Sequence, residues 1–413
     1  ISLFFIFFLY SYILRSSNNI TDMYQPLRFL RCIVNTVGVA SLLSLYVKHY
    51  ESNAGTRLVK DLWFCLLFHA VIITIMFLVP PVNEFIIMHV RKVDPNSEHF
   101  KTLLDGNRIG GLTASWDATS GMQSLGIILL PAFWVKGYKN IFMVLGVIFF
   151  SLFSMFLSGA TGFITLALNT FFITFLWPNR AFNAQHHSLI FNIKAAGKRI
   201  NRTINIKFNL LLTFLLTIMI ISYVVINILP GLSLMISGTS IARTTNMFLS
   251  DTEYELKHNN KRTITANRTI KTIMDMYFLP SETDVFLFGL GGSGRKDNEY
   301  YIPADNGIIL NVHNLGIIMS LLLYCFILYD LCVAFKYRHK LPQKSFITLF
   351  VMITILLIDA KVQYLIARNS LSIMLIAVFT MWHEIGLLKF QRRKQLQKDK
   401  YENKICNHCT ELQ

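Results

Sequence analysis

The chain has 413 residues, of which 53% are hydrophobic and 15% are charged, and its mean hydropathy is +0.47. Soluble domains carry about 25% charged residues, so this composition excludes an ordinary soluble enzyme and predicts a protein of the lipid bilayer. The net charge of +16 fits either a nucleic-acid surface or the charge asymmetry of a membrane protein, and the positions of the basic residues distinguish the two.

Long apolar segments follow one another along the chain. Helix is predicted for each of them, because backbone polar groups in lipid must be hydrogen-bonded within the protein. The third is expected to continue past Pro80 as an interfacial helix through Val90, and the fourth is short and contains Pro131. We predict about ten spans, near residues 1–14, 28–47, 62–82, 120–135, 141–157, 161–178, 208–230, 307–335, 345–366 and 370–388.

The sequence has no initiator Met and begins within the first apolar run. We therefore expect further N-terminal sequence, and about 11 or 12 spans in the longer chain. The fold class predicted is an all-α integral membrane protein with one large external loop. Its regions are an N-terminal bundle at 1–236, the external loop at 237–306, C-terminal helices at 307–390 and a basic tail at 391–413.

Basic residues in the short connections predict the orientation of the spans. The tail and the loop at 336–344 are rich in Lys and Arg, so both are predicted to be cytoplasmic, and alternation places 48–61, 136–140 and 179–207 on the same side. These segments hold more than half of the 39 basic residues, so the charge surplus is attributed to topology and no nucleic-acid partner is expected.

The same alternation predicts that the loops at 83–119 and 158–160 and the segment at 237–306 are external, and that both termini are cytoplasmic.

A glycine cluster near the end of the large external loop is followed by an Asp-Asn-Gly triplet that opens the next span. This pattern resembles the C-terminal half of the O-antigen and capsular polysaccharide polymerases, in which a Leu-Phe-Gly-x-Gly turn precedes an Asp-x-Gly helix start and a later Gly-Ile pair. The matching positions are Leu287, Phe288, Gly289, Gly291, Asp305, Gly307, Gly316 and Ile317.

Two further segments are similar to the same family. Residues 107–111 resemble an Arg-x-x-Gly segment that precedes a span, and residues 157–162 resemble a Leu-Ser-x-x-Arg-Gly turn. The chain departs from the family pattern at two points. Thr161 stands where the turn usually has Arg, and Trp116-Asp117 stands where a Pro-Asn pair is common. The arginine of that turn therefore has no direct counterpart here.

The resemblance implies a GT-C-like, metal-independent membrane glycosyltransferase without a cofactor. Such an enzyme transfers a growing glycan from undecaprenyl diphosphate to a lipid-linked repeat unit at the external face of the bacterial inner membrane, and so builds lipopolysaccharide O-antigen or capsule. The implied partners are the undecaprenyl-diphosphate-linked oligosaccharide, the membrane lipid and a chain-length regulator protein.

External arginines are the candidates for holding the diphosphate, because a guanidinium is permanently charged and binds phosphate oxygens in pairs. Arg108, Arg243 and Arg268 are the first choices, and Arg262 and Lys271 are additional candidates. The competing roles are ordinary ones: Arg108 would anchor the chain to lipid headgroups, and Arg268 would lie on the solvated face of an amphipathic helix.

Asp305 is the candidate catalytic base, and the competing roles are a ligand of the acceptor sugar or the N-cap of the span. His313 is expected inside the membrane, and a structural role is favoured over a catalytic one. Together with Asn314 it resembles a His-Asn pair of the O-antigen ligases. It lies eight residues after Asp305, whereas the ligase pair takes the Asp position, and this register favours a polymerase over a ligase.

Asp359 and Lys361 are ionisable residues within the ninth predicted span and are candidates for lining a substrate route. A transporter or flippase of lipid-linked sugar and an O-antigen ligase remain the alternative functions. The sequence shows no internal repeat and no matching pair of broken helices, which argues against a transporter. A GxGxxG match at 289–294 and a lone C-x-x-C at 406–409 indicate neither a dinucleotide site nor a metal site.

Overall fold

The computed structural model describes residues 1–93, 109–113, 116–133, 141–159, 161–176, 277–292, 302, 306–366 and 368–411. The predicted seventh span and most of the large external loop lie outside these residues. Within the described part, every regular element is a helix and there is no strand, which confirms the all-α prediction.

The helices are listed here in chain order. They are α1 (Ser2–Ser17), α2 (Tyr24–Tyr50), α3 (Ala54–Leu78), α4 (Pro80–Phe85), α5 (Trp116–Ile128), α6 (Leu130–Phe133), α7 (Ile141–Ser158), α8 (Thr161–Leu176), α9 (Thr283–Phe288), α10 (Gly307–Tyr337), α11 (Pro342–Asp359) and α12 (Arg368–Glu411), with a 3₁₀ turn at Glu51–Asn53 and a π-helical turn at Ile86–Val90.

In the described residues, five helices are long and apolar enough to cross a membrane: α2, α3, α10, α11 and the Ser370–Gln397 part of α12. Three shorter apolar helices lie at Ser2–Ser17, Phe142–Ser158 and Thr161–Ile173. Large apolar side chains such as Phe68 and Phe142 are 67% and 81% exposed, as expected for helices that face lipid. These observations support a multi-span membrane protein, and the total of ten spans stays a prediction.

The structure corrects several predicted boundaries. The helical path after α3 does continue through Val90, because Pro80 starts α4 at a position that needs no N–H donor. The fourth span is interrupted near Pro131, where α5 has ended and α6 follows. The ninth ends at Asp359 and not at residue 366. Residues 360–366 form a non-helical connection because the Asp359 carboxylate binds main-chain N–H groups farther along the chain.

Helix α5 lies in the middle of the bundle, against α3, α7, α8 and α11. Glycines allow this close packing, since a Cβ on Gly126 would lie 2.4 Å from Ser151 Oγ and a Cβ on Gly162 would lie 2.4 Å from the main-chain oxygen of Ser120. Trp63 Nε1 of α3 donates to the main-chain oxygen of Gly126 at 3.0 Å. Small residues are common at such interfaces because dispersion and hydrogen bonding, rather than the hydrophobic effect, join helices in lipid.

We expect Gly126→Val to lower the stability of the purified protein by about 1–3 kcal/mol, because the added side chain overpacks the contact between α5 and α7. Gly146→Val on α7 is the matched control, since a Cβ at that position has no other atom within 4 Å. Thermal unfolding in detergent measures both variants. Equal midpoints for the two variants would contradict the packing described for α5.

Candidate functional site

The segments that carry the family resemblance are distant in sequence and meet at one end of the bundle. We call this the motif end; it comprises residues 109–113, 157–159, 161, 306–307 and 359–366. The contacts that join these segments are hydrogen bonds and close glycine packing. Residues 287–291 contact α10 near Gly316, about two turns after the start of that helix.

Residues 109–113 are bonded directly to the turn between α7 and α8. The Ile109 N–H donates to the main-chain oxygen of Leu157 at 3.0 Å, and Ser158 Oγ donates back to the main-chain oxygen of Ile109 at 2.8 Å. The Gly162 N–H donates to Ser120 Oγ at 2.9 Å, so the start of α8 is held against α5. Two sequence motifs about 50 residues apart therefore form one structural unit.

His69 of α3 positions the other side of residues 109–113. The Leu112 N–H donates to His69 Nε2 at 3.0 Å, and His69 Nδ1 lies 2.9 Å from the side-chain amide of Gln123. Because Nε2 accepts, a neutral imidazole carries its proton on Nδ1, and this N–H donates to Gln123 when the amide is oriented with its oxygen, rather than its nitrogen, toward the ring. Gly111 has φ of +62°, and a Cβ there would lie 2.3 Å from His69 Nε2, so the position requires glycine.

Arg91 brings a guanidinium to the motif end, which the sequence analysis did not single out. Its Nη1 would lie 3.5 Å from a Cβ on Gly110, and burial lowers its pKa, although a guanidinium stays charged in proteins. No motif marks this residue. It follows the π-helical turn at Ile86–Val90, and this placement could not be read from the sequence.

Asp359 is fully buried at the end of α11 and accepts three hydrogen bonds. The main-chain N–H groups of Tyr364 and Leu365 donate to Oδ1, each at 2.7 Å, and the Tyr324 hydroxyl donates to Oδ2 at 2.7 Å. Asn311 Nδ2 donates to the Tyr324 hydroxyl at 2.9 Å, and Gln363 Nε2 donates to Asn311 Oδ1 at 3.2 Å. Every hydrogen bond in this series is donated in the direction of Asp359. An ionised carboxylate requires this arrangement, because it can only accept hydrogen bonds.

Arg28 of α2 supplies the opposite charge. It is 6% exposed and acts electrostatically on both Asp359 and Tyr324. Arg28 therefore offsets part of the negative charge of the buried carboxylate. A Cβ on Gly307 would lie 2.3 Å from Asp359 Oδ1, so the start of α10 also packs on this carboxylate.

Lys361 points away from Asp359, because it follows the end of α11. Its Nζ donates to Thr161 Oγ1 at 2.9 Å, and the residue is exposed. Asp359 is thus occupied with fixing the connection at 360–366, whereas Lys361 places a cation beside the residue that stands at the arginine position of the family turn. The two do not line a common route.

Helix α10 is broken at Gly316, which has φ of 74° and ψ of 167°. The break frees main-chain oxygens, and the glycine turn after α9 binds them: Leu290 N–H donates to His313 O at 2.8 Å, and Gly291 N–H donates to Asn314 O at 2.9 Å. Backbones touch here, since a Cβ on Gly289 would lie 2.4 Å from the Gly316 nitrogen. The two halves of the C-terminal motif are therefore in direct contact.

Asn306 is the N-cap of α10, and its side-chain oxygen accepts from the N–H groups of Ile308 and Ile309 at 2.8 and 3.4 Å. The N-cap role considered for Asp305 is therefore wrong, because the adjacent Asn fills it. His313 Nε2 donates to the main-chain oxygen of Phe278 at 3.3 Å, and the two rings are 5.2 Å apart. These contacts favour a packing role for His313.

The other predicted site residues lie outside the described residues. They are Arg108, Arg243, Arg262, Arg268, Lys271 and Asp305. Their neighbours Ile109 and Asn306 are described, and both lie at the motif end. In the described part of the chain, no three His, Cys, Asp or Glu side chains are grouped so as to hold a metal ion.

Comparisons with protein-family models, with curated proteins and with solved structures find no match to this chain.

We expect Tyr324→Phe to destabilise the purified protein by about 1–3 kcal/mol, because it removes a bond to the buried Asp359 carboxylate and leaves the Asn311 amide without its acceptor. Tyr329→Phe is the matched control, on the same helix with a 58% exposed side chain. Thermal unfolding in detergent compares the two. A midpoint for Tyr324→Phe equal to that of wild type would contradict the hydrogen-bond chain.

Proposed function

We propose that the chain is a membrane glycosyltransferase that polymerises undecaprenyl-diphosphate-linked oligosaccharide repeat units into O-antigen or capsular polysaccharide. The observation that carries this proposal is the convergence of the family-like segments. Residues 109–111 bond to residues 157–158, and residues 289–291 bond to and pack against residues 313–316. The connection after α11 joins the two pairs, because Asp359 packs on Gly307 and Lys361 Nζ donates to Thr161 Oγ1. Segments that share one structural unit are expected to serve one function.

The basic groups near these segments support the proposed chemistry. The leaving group is a lipid diphosphate, so fixed cations become more valuable as negative charge develops on the departing oxygen. In this proposal Arg108, Arg243 and Arg268 bind the diphosphate, with Arg262 and Lys271 as further contacts. Arg91 lies against Gly110, two residues from Arg108, and Lys361 lies beside Thr161, so both supply positive charge to the same region.

The acceptor side is proposed to lie near the start of α10. Asp305 would take the proton from the attacking hydroxyl of the acceptor sugar, as a positioned carboxylate can. Since Asn306 is the N-cap, Asp305 is not needed for that structural role. His313 lies two turns farther along α10 and is occupied with Phe278, which agrees with the register that favours a polymerase over a ligase.

The fold belonging to this proposal is a GT-C-like bundle of about ten spans in the bacterial inner membrane, with both termini cytoplasmic and the motif end external. The described contacts agree with this sidedness. The opposite end of α11 carries Lys344, which bonds Thr56 and lies 3.6 Å from Glu384, next to the loops that the basic residues predict to be cytoplasmic. A chain-length regulator protein remains an expected partner.

A transporter or flippase of lipid-linked sugar is the second candidate, and one observation favours it. Helix α10 is discontinuous at Gly316, and transporters commonly build their substrate sites at broken helices. A transporter with inverted repeats is expected to have a second, matching break, and the other interruptions in the described helices are those at Pro80 and near Pro131.

A glycan ladder tests the proposal. Deleting the gene in its host should collapse the ladder of lipopolysaccharide or capsule to core plus one repeat unit, and wild type should restore it. Arg108→Ala, Arg243→Ala and Arg268→Ala should each slow chain extension in isolated membranes about 100-fold or more, as loss of a donor to a developing negative charge does. The corresponding Lys variants should recover little, because Lys cannot bind phosphate in the paired geometry.

Arg338→Ala is the control variant, since this arginine lies in the loop predicted to be cytoplasmic and should extend chains normally at equal protein abundance. Loss of the single-unit band together with the ladder would favour ligation or flipping. An intact ladder after deletion would refute the polymerase assignment.

A further inference from the structure

The segment at residues 109–113 is held by hydrogen bonds from three parts of the bundle. The turn between α7 and α8 bonds both main-chain groups of Ile109, and Thr119 Oγ1 of α5 donates to the main-chain oxygen of the next residue at 3.1 Å. On the other side, His69 of α3 accepts the Leu112 N–H at 3.0 Å. The segment is neither helix nor strand, so its conformation depends on these bonds.

Both ring nitrogens of His69 are engaged by the protein itself. Nε2 accepts the Leu112 N–H, and Nδ1 lies 2.9 Å from the side-chain amide of Gln123 on α5. A general base needs a lone pair that faces the substrate, whereas the lone pair of Nε2 is directed at the main chain. His69 is therefore placed to hold the segment and not to transfer a proton.

Packing between α3 and α5 does not by itself require a histidine at position 69. Trp63 already joins the same two helices through the main-chain oxygen of Gly126, and an aliphatic side chain of similar size would fill the space of the ring. A polar ring in a helix that is apolar enough to span the membrane costs free energy. The contact that an aliphatic side chain could not supply is the acceptor for the Leu112 N–H.

We propose that His69 is a positioning residue for glycan transfer, which fixes residues 109–113 against the turn between α7 and α8 in one conformation. This segment directly follows Arg108 in the sequence, a diphosphate contact in the proposed function. The use of the segment in glycan transfer rests on that proposed function, whereas the holding of the segment by His69 is argued from the described contacts alone. A misplacement of about 1 Å costs about 100-fold in rate, so loss of this bond should be measurable.

The distance between two spin labels tests whether His69 fixes the segment. Leu112 and Phe142 are 42% and 81% exposed, so nitroxides on cysteines at these positions, in a variant whose six native cysteines are replaced, should leave the packing intact. Leu157, which Ile109 contacts, lies 15 residues and about 22 Å along α7 from Phe142. Double electron–electron resonance in detergent should give a narrow distance distribution with His69 present, and His69→Leu should broaden it.

Two further variants show whether the broadening comes from the lost acceptor. His69→Gln should keep the distribution narrow, because the Gln side chain can place an acceptor oxygen near the position of Nε2. His383→Leu is the matched control, since it makes the same substitution in membrane-spanning α12, at a histidine whose Nδ1 has no partner among the described residues. A distribution in His69→Leu as narrow as with His69 present would overturn the proposal.

Gln123→Leu keeps the test decisive if His69→Leu does not fold. It removes the side-chain amide at Nδ1 of His69 and leaves the acceptor Nε2 in place. One atom of the Gln123 amide has no partner in the described part of the chain, so the substitution should cost little stability. The label distribution should broaden, by less than in His69→Leu. An unchanged distribution would overturn the fixed ring orientation on which the proposal depends.

Glycan extension in isolated membranes tests the use of the held segment. At equal protein abundance, His69→Leu should slow extension about 10- to 100-fold, whereas His69→Gln and His383→Leu should stay within about twofold of wild type. Thermal unfolding in detergent accompanies each variant, because a role in packing alone would make the rate follow the unfolding temperature. Normal extension by His69→Leu together with a broadened label distribution would overturn the positioning role.

A double-mutant cycle with Arg108 separates positioning from a general loss of structure. If His69 acts through the segment that follows Arg108, His69→Leu should slow the Arg108→Ala variant much less than it slows wild type, since the two residues then serve one interaction. Equal fold-losses in both backgrounds would overturn the positioning role. Wild-type membranes that extend no glycan would instead refute the proposed function, and the label distances would still decide whether His69 fixes the segment.

Discussion

The buried Asp359 carboxylate is the interaction on which the motif end depends. A charge at membrane depth is stable only when hydrogen bonds and an opposite charge surround it, and this carboxylate is bonded to α10 through Tyr324 and to its own connection through Tyr364 and Leu365. It therefore ends α11, turns the chain back toward α12 and fixes the start of α10 in one place. Arg28 extends the same electrostatic unit to α2.

The second constraint is the satisfaction of main-chain groups where α10 breaks. In lipid a broken helix is tolerated only if other atoms bond the freed carbonyl oxygens, and here the N–H groups of Leu290 and Gly291 do so. This requirement explains the glycines of the C-terminal motif. Gly289 and Gly316 have positive φ angles of 85° and 74°, and each lies so close to the other backbone that no Cβ fits.

These two constraints act on different groups and have different consequences. The Asp359 carboxylate accepts three hydrogen bonds and both amide atoms of Asn311 are bonded, so this unit stabilises the fold. At the break at Gly316 the freed main-chain oxygens are bonded by Leu290 and Gly291, whereas the Asn314 amide has no partner among the described residues.

The sequence was sufficient for those features of the fold that follow from local hydrophobicity. Runs of apolar residues predicted the helices, because backbone in lipid has no alternative to internal hydrogen bonding. The helical continuation from Pro80 through Val90 was also predicted correctly. The resemblance to the polymerase family also implied turns before α8 and after α9. These features need only near neighbours in the chain, which a sequence displays directly.

Only the tertiary structure decided which polar residues act together. Tyr324, Asn311 and Gln363 carry no motif, and their relation to Asp359 arises because α10 and the connection after α11 are adjacent in space. The sequence analysis placed Asp359 and Lys361 in one predicted span. In the structure α11 ends at Asp359, and Lys361 lies in the connection that follows and contacts Thr161 instead. Which residue caps α10 also depended on local geometry, because both Asp305 and Asn306 have suitable side chains and the structure shows Asn306 accepting the N–H groups at the helix start.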